Sequence, residues 1–343
     1  MKRLVTICLV LIMTSGVVGL TPLIQMPQAH AQGETLTLYM GNPEPVSKAI
    51  AAAFEQASGV KTSFVRLSAG EVLNRLRAER ARPQASVVYG IGLSTIQLLK
   101  TEGLLEAYRA PNRAQIPQRY RDHDGFWTAT DIDFIGLAAN KKLFAENRWA
   151  TPKTWQDLVR PLFRGQIAWP NPSTSGTALT WLYAMIASLG EEKAFEYFKQ
   201  FNPNVSQYTR SGIGPTQMAG SGEAALGLGF AHDILGFRER GFPLEMVIPA
   251  EGTGYDLFCV VLVNGAPQPS AARKFIDWAL TPEAQELLAA NAYFDLPTHP
   301  KAKISPVIAP YQSVKLIPLD FWGLAKKRDR LVKRYQDDVL STR

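Results

Sequence analysis

The order of apolar and polar positions divides the chain into short extended runs that alternate with helical stripes. Residues 35–40 alternate as a strand, 41–43 turn, and Val46, Ile50, Ala53 and Phe54 fall on one helical face that Gly59 can close. Residues 60–67 read as a second strand. Ser68 and Glu71 then hold the spacing of a capping box and open a helix through Val72, Leu73 and Leu76. Residues 86–89 form a third buried run that ends in Gly90-Ile91-Gly92, before a helix over 93–100 that Gly103 stops. Strands alternating with helices through short loops predict an α/β fold built on mostly parallel sheets. Ligands of such sheets lie at the carboxyl ends of strands, which makes Asn42, Ser68 and residues 90–92 candidates. For Ser68 a capping role alone is the competing reading.

The texture changes after residue 110. Residues 126–139 are one long extended run, and residues 256–264 are a second. Runs of that length suit strands that cross between two bodies. They bound an inserted stretch with its own alternation: a buried strand over 165–169, an apolar helix through Leu179, Leu182, Tyr183 and Ile186, a helix over 191–201, a buried strand over 224–230 and a further strand over 244–249. After the second long run, Ala272, Phe275, Ile276 and Ala279 mark an amphipathic helix. Thr281-Pro282-Glu283 then supplies an N-cap, a first-turn proline and a first-turn acid for another. The expected organisation is a first lobe of residues 32–133 and 262–343, with the C-terminal tail packed back on it, and a second lobe of residues 134–261 inserted between the crossing strands.

The densest chemistry lies at 169–177, Trp-Pro-Asn-Pro-Ser-Thr-Ser-Gly-Thr, where two prolines end a strand and four hydroxyls and a glycine begin a helix. A helix start offers unpaired N–H groups and about half a positive charge, so it can seat a phosphate or carboxylate without a lysine. One capping serine would explain a single hydroxyl, but not Ser173, Thr174, Ser175 and Thr177 beside Gly176. Thr209, Ser211 and Gly212 repeat the arrangement ahead of Pro215, with Arg210 either facing a ligand anion or water. His232 and Asp233 end the strand over 224–230 and suit polar contact with a ligand, structural hydrogen bonding or acid–base chemistry. Glu251 and Thr253 sit in the loop that ends the strand over 244–249.

Composition narrows the setting. Lys2 and Arg3, the apolar run 4–13 and Ala29-His30-Ala31 have the form of a cleavable secretory signal over residues 1–31. Without those two cations the 37 basic residues become 35 against 30 acidic, a net +5 that asks for no nucleic acid. The basic run 326–334 is broken by Asp329, Leu331 and Val332, as on a solvated helix face. Of the two cysteines only Cys259 would survive cleavage, which excludes an internal disulfide. No G-x-S-x-G or H-E-x-x-H pattern is present, so a serine or zinc hydrolase lacks its signature.

Residues 68–79, 171–177, 208–212, 227–233, 251–255 and 281–287 together make the chain resemble the periplasmic solute-binding proteins of ABC importers, of the two-lobed, two-crossover type. The resemblance is to the group that holds ferric-iron, sugar-phosphate and aminoethylphosphonate binders. It implies a periplasmic monomer without enzyme activity that needs no cofactor and closes on a small ligand for delivery to a membrane permease. Ferric binders carry adjacent tyrosines after the strand equivalent to 224–230, because phenolate oxygens suit Fe(III). Here the residues are Phe230-Ala231-His232-Asp233, which turns the resemblance from a metal toward a phosphorylated ligand. Carried over, Ser173, Ser175, Gly176 and Thr177 with Thr209 and Ser211 would hold phosphate, and His232, Asp233 and Glu251 the polyol end. Thr174, Gly212, Thr253 and Asn42 complete the candidate set. Residues 40–43 lack the serine and histidine often seen there, and Ser86 stands where an aspartate is common. A ferric binder of the same family, and an adaptor presenting its ligand to a sensor kinase, are the alternative readings.

Overall fold

A computed structural model describes residues 35–342; the segment read as a signal lies outside them. The predicted alternation is present from the first element. Strand β1 (Leu36–Met40) leads to helix α1 (Glu44–Ser58), β2 (Thr62–Arg66) to α2 (Ala69–Ala78), and β3 (Val87–Gly92) to α3 (Leu93–Thr101). Helix α1 buries Val46, Ile50 and Phe54 and stops at Gly59, whose φ of 70° lets its N–H return to the Glu55 carbonyl. At α2 the Glu71 carboxylate accepts the Ser68 N–H at 2.9 Å and its hydroxyl at 2.8 Å. Strand β1 pairs in parallel with β2 and β3.

A short strand β4 (Leu105–Glu106) precedes β5 (Thr128–Asn140), 13 residues that are all buried, and the Asn140 side chain caps α4 (Lys141–Glu146). Next come β6 (Ile167–Pro170), α5 (Gly176–Leu189), α6 (Glu191–Phe201), β7 (Val205–Thr209), α7 (Gly214–Ser221), β8 (Leu226–Phe230), α8 (Ala231–Glu239) and β9 (Leu244–Val247). Strand β10 (Tyr255–Val263) runs back, followed by α9 (Pro269–Ala279), α10 (Pro282–Ala290), β11 (Leu296–Pro297) and α11 (Phe321–Asp338). No helix among the described residues is long and apolar enough to cross a membrane.

The eleven strands form one sheet whose main path is β2-β1-β3-β10-β5-β8-β6-β7. It is mixed, because the two long strands run against their neighbours while the strands on either side of them pair in parallel. Strand β5 changes partners along its length: residues up to Phe134 pair with β10 and β11, and from Ile135 onward with β8 and β9. Strand β5 is thus common to both halves of the sheet, while β10 joins it to β3.

The C-terminal helix packs on both halves. It lies against α3 of the first, while Leu331, Val332, Tyr335 and Val339 join the core of Trp169, Trp181 and Phe198 of the inserted half, a contact the sequence did not suggest. Tyr335 meets Phe198 with ring centroids 5.4 Å apart, and Arg330 and Arg334 pair with Glu191 at 2.5 and 2.9 Å. The helical stripe was readable in the sequence; the aromatic face that receives it is assembled from distant segments and was not.

Trp181 anchors that core, with ring centroids 4.7 Å from both Trp169 and Phe198. Trp181→Ala is expected to cost about 3–5 kcal/mol in urea unfolding. Trp322→Ala, at a side chain 42% exposed, should stay within ~0.5 kcal/mol of wild type. Equal effects of the two would contradict this packing.

Candidate functional site

The helix start after β6 is built around Asn171. Its Oδ1 accepts the Ser173 N–H and hydroxyl at 2.9 and 2.7 Å, and its carbonyl accepts the N–H groups of Thr174 and Ser175 at 3.1 and 2.9 Å. Ser175 Oγ caps the Ala178 N–H at 3.4 Å, and the Thr174 hydroxyl donates to the Arg210 carbonyl at 2.7 Å. The N–H groups of Gly176 and Thr177 have no hydrogen-bond partner among the described residues. The loop before α7 lies against this start: a side chain on Gly212 would overlap Thr177 Oγ1, so only glycine allows the approach. Thr209 holds the loop by donating to the Ser211 carbonyl at 2.8 Å. Ser175, Gly176, Thr177, Ser211 and Gly212 line one side of a cavity of about 210 Å³, and Gly41, Arg66, Ser68, Gly90 and Gly92 line the other.

Six helix starts border this cavity, at α1, α2, α3, α5, α7 and α8, and α1 carries Glu44 in its own first turn. Three already have a carboxylate of this chain. Glu71 meets Ser68 at α2, Asp256 accepts the Leu93 N–H at 2.8 Å and the Ser94 hydroxyl at 3.1 Å at α3, and Asp133 accepts the His232 N–H at 2.9 Å at α8. At α7 the Ser211 carbonyl accepts the Gly214 N–H at 3.3 Å. The α5 start has no acid in its first turn and no carboxylate upon it. Its partial positive charge and two free N–H groups face the cavity, an arrangement suited to an external anion.

The opposite end of the cavity is acidic and buried. His232 Nδ1 lies 2.6 Å from Asp133 Oδ2 and 2.8 Å from Asp295 Oδ1, Nε2 lies 3.6 Å from Asp233 Oδ2, and the ring stacks on Tyr293 at 3.9 Å. Burial works against the imidazolium, but the carboxylates of Asp295, Asp233 and Asp133 outweigh it and hold the His232 pKa well above its usual value. Burial also raises Asp295, Asp131 and Asp233. Asp131 and Asp295 each keep one buried oxygen without a conventional partner, and their carboxyls interact, so a proton between them satisfies both. Asp256, fully enclosed, is pushed by burial up to about 7 despite the N–H groups it accepts. The ligating atoms of Asp133, His232 and Asp295 lie within 4.8 Å of one another. Protonated His232, however, has no lone pair on Nδ1 for a metal.

Of the residues singled out in the sequence, Ser175, Gly176, Thr177, Ser211, Gly212, His232 and Asp233 meet at the cavity. Ser173, Thr174 and Thr209 hold its loops in place. Asn42 is buried between its lining neighbours Gly41 and Pro43 and does not itself line it. Glu251 and Thr253 lie elsewhere, contrary to expectation. Glu251 accepts the Trp155 N–H at 3.0 Å, while Thr253 donates its hydroxyl to Ile135 at 2.6 Å and its N–H to Lys315 at 2.9 Å. Their loop is tied to the segment around Lys315, which no local pattern foretells. Arg66, Asp256 and Tyr293 line the cavity unanticipated. The position of Arg66 at a strand's carboxyl end, and a lone acid in an otherwise apolar crossing strand at Asp256, were signals in the sequence; Tyr293 left none.

The interior acids give stability a definite pH dependence. Asp256 binds its proton more tightly folded than unfolded, so between about 4 and about 7 the folded protein retains a proton that the unfolded chain releases, and stability falls as pH rises through that window. Asp131, Asp233 and Asp295 act in the same direction. His232 adds stability that is fully present below its unfolded value and is lost as pH rises through its folded one. Glu191, held at about 2 by Arg330 and Arg334, has the opposite sign and matters only as pH falls below the usual carboxylate range. Urea unfolding should therefore show wild type losing stability between pH 5 and pH 8, and Asp256→Asn removing on the order of 2–4 kcal/mol of that loss. Parallel profiles for the two proteins would contradict the assignment.

Comparison with known proteins gives this site its context. A protein of Haemophilus influenzae is 34% identical over 320 residues, covering 91% of this chain and 92% of its own. The solved periplasmic binding protein AfuA of Actinobacillus pleuropneumoniae, with exogenous fructose-6-phosphate bound, superposes with a TM-score of 0.86 at 36% identity, over 90% of this chain and 99% of its own. The ferric binding protein of Campylobacter jejuni shares the fold, with a TM-score of 0.75 at 21% identity over 88% of this chain and 99% of its own. The family model described as bacterial extracellular solute-binding protein matches residues 83–323. The chain therefore belongs to the bacterial extracellular solute-binding proteins, the ligand-capturing components of ABC importers, and is a binding protein rather than an enzyme.

Proposed function

We propose that this protein captures a phosphorylated organic ligand in the periplasm and delivers it to an ABC permease. The phosphoryl group sits at the start of α5, where Gly176 and Thr177 donate their N–H groups and Ser175, Thr177 and Ser211 their hydroxyls. The polyol end meets His232 and Asp233. The observation that carries this reading is electrostatic: the three carboxylates that serve neighbouring helix starts leave α5 unanswered. Neutral donors fixed in a dry cleft give charge-assisted bonds to an anion with no reorganisation on binding. The bound fructose-6-phosphate in the relative at 36% identity supports the same ligand class.

Closure accompanies binding in this account. Strands β5 and β10 are the hinge between a lobe built on β1–β3 and one built on β6–β8. The rims meet where Arg210 Nη2 reaches Glu71 Oε1 at 2.8 Å and where the Gly70 backbone abuts Thr174. That ion pair is exposed and contributes little by itself; it registers the two rims, and the ligand supplies the free energy of closure.

A thermal-shift panel of sugar phosphates, phosphonates, inorganic phosphate, carboxylates and Fe(III) tests the ligand class. A true ligand at 100 times its Kd adds ~2.7 kcal/mol of stability. Thr177→Ala and Ser175→Ala should each weaken a phosphorylated ligand by roughly tenfold without changing the melting temperature of the free protein by more than a few degrees. A shift with Fe(III) alone would overturn the proposal.

A further inference from the structure

Six charged groups line or rim the cavity, and most are already engaged. Glu71 and Arg210 pair with each other, Asp256 serves the α3 start, and His232 is held by Asp133 and Asp295. Two remain. The Arg66 guanidinium makes no hydrogen bond or ion pair among the described residues, although it lines the cavity from the end of β2. Asp233 is only 9% exposed, also lines the cavity, and makes no hydrogen bond; its sole close contact is His232 Nε2 at 3.6 Å.

The positions of these two groups are complementary. Arg66 is followed at once by the α2 start, which abuts α5: a Cβ on Gly176 would rest 3.4 Å from that of Ala69. Arg66 is thus carried on the wall that touches the free helix start. It is also near enough to Asp233 and Glu71 to favour the charged forms of both carboxyls. A guanidinium without a partner and a carboxylate whose only ion pair is the long contact to His232 line one cavity, and an arginine fork suits two oxygens of a phosphoryl group as a lysine does not.

We infer that Arg66 is the specificity-determining cation of this cleft, receiving the ligand's phosphoryl group alongside the α5 start while Asp233 accepts a hydroxyl from the ligand's other end. The inference rests on the phosphorylated-ligand reading and adds a selection rule to it. A ligand must bring both a dianionic head and a donor, because either fragment alone leaves one of the two cavity charges without a ligand partner. Fructose 6-phosphate satisfies both demands; fructose and inorganic phosphate satisfy one each.

Calorimetric titration of wild type, Arg66→Gln, Arg66→Lys and Asp233→Asn with those three probes tests the inference. Arg66→Gln is expected to weaken fructose 6-phosphate on the order of 10- to 100-fold, to lower its preference over fructose, and to flatten the dependence of Kd on salt. Arg66→Lys should recover only part of the loss. Asp233→Asn should weaken fructose 6-phosphate while leaving inorganic phosphate unchanged. The melting temperature of unliganded Arg66→Gln should match wild type, because the guanidinium holds nothing in the folded protein; a merely structural arginine would lower it and leave the ligand preference alone. If wild type binds fructose 6-phosphate and Arg66→Gln binds it equally well, the inference falls and the ligand class stands. If wild type binds no phosphorylated probe, both fall together.

Discussion

A helix that begins on a cavity wall presents unpaired N–H groups and a partial positive charge, and in a folded protein something must answer them. The cavity of this binding protein is arranged by that requirement. Glu71, Asp256 and Asp133 answer three of the starts from within the chain, each from a different element. The α5 start is left with hydroxyls and glycine, which donate or give room but carry no negative charge. What distinguishes the anion seat from the α2, α3 and α8 starts is the absence of an internal anion, more than any excess of positive side chains. This explains how a cleft lined by several buried acids can belong to a family whose solved member here holds a sugar phosphate.

The opposite end shows the cost of placing acids on the strand that joins the two halves. Asp131 and Asp133 lie on β5, Asp295 just before β11, and His232 at the start of α8, so the ion pairs tie the first half of the sheet to the second across the crossing strand. Unpaired, such charges would be prohibitively expensive to bury. An imidazolium between two carboxylates, and the raised pKa values that burial gives Asp131 and Asp295, lower the charge the cluster must bury. Cavity lining and crossing strand are therefore one network, since His232 lines the cavity and pairs with Asp133 of β5.

Much of this was legible in the chain. The alternation of strand and helix, the stop at Gly59, the Ser68–Glu71 capping pair and the two long extended runs all follow from local periodicity and local caps, which fix structure within a few residues. The Ser175–Thr177 start was legible for the same reason, because orphan N–H groups and the residues that face them are neighbours in sequence. Glu251 and Thr253 misled because a loop's direction is set by what it docks on, here the distant Lys315 segment. The charge network around His232 draws on positions 131, 133, 233 and 295, and no window of sequence holds them together. Helix α11 was recognisable as a helix, yet it packs on α3 and on the aromatic core of Trp169, Trp181 and Phe198, a surface that exists only once both halves have folded.

The most direct test of the central claim is a crystal structure with fructose 6-phosphate bound. The account predicts phosphoryl oxygens within hydrogen-bond distance, 2.7–3.2 Å, of the Gly176 and Thr177 N–H groups, with the sugar hydroxyls turned toward His232 and Asp233. A phosphoryl group seated at the α3 or α8 start, displacing Asp256 or Asp133, or one directed toward the acidic end with α5 left empty, would contradict it.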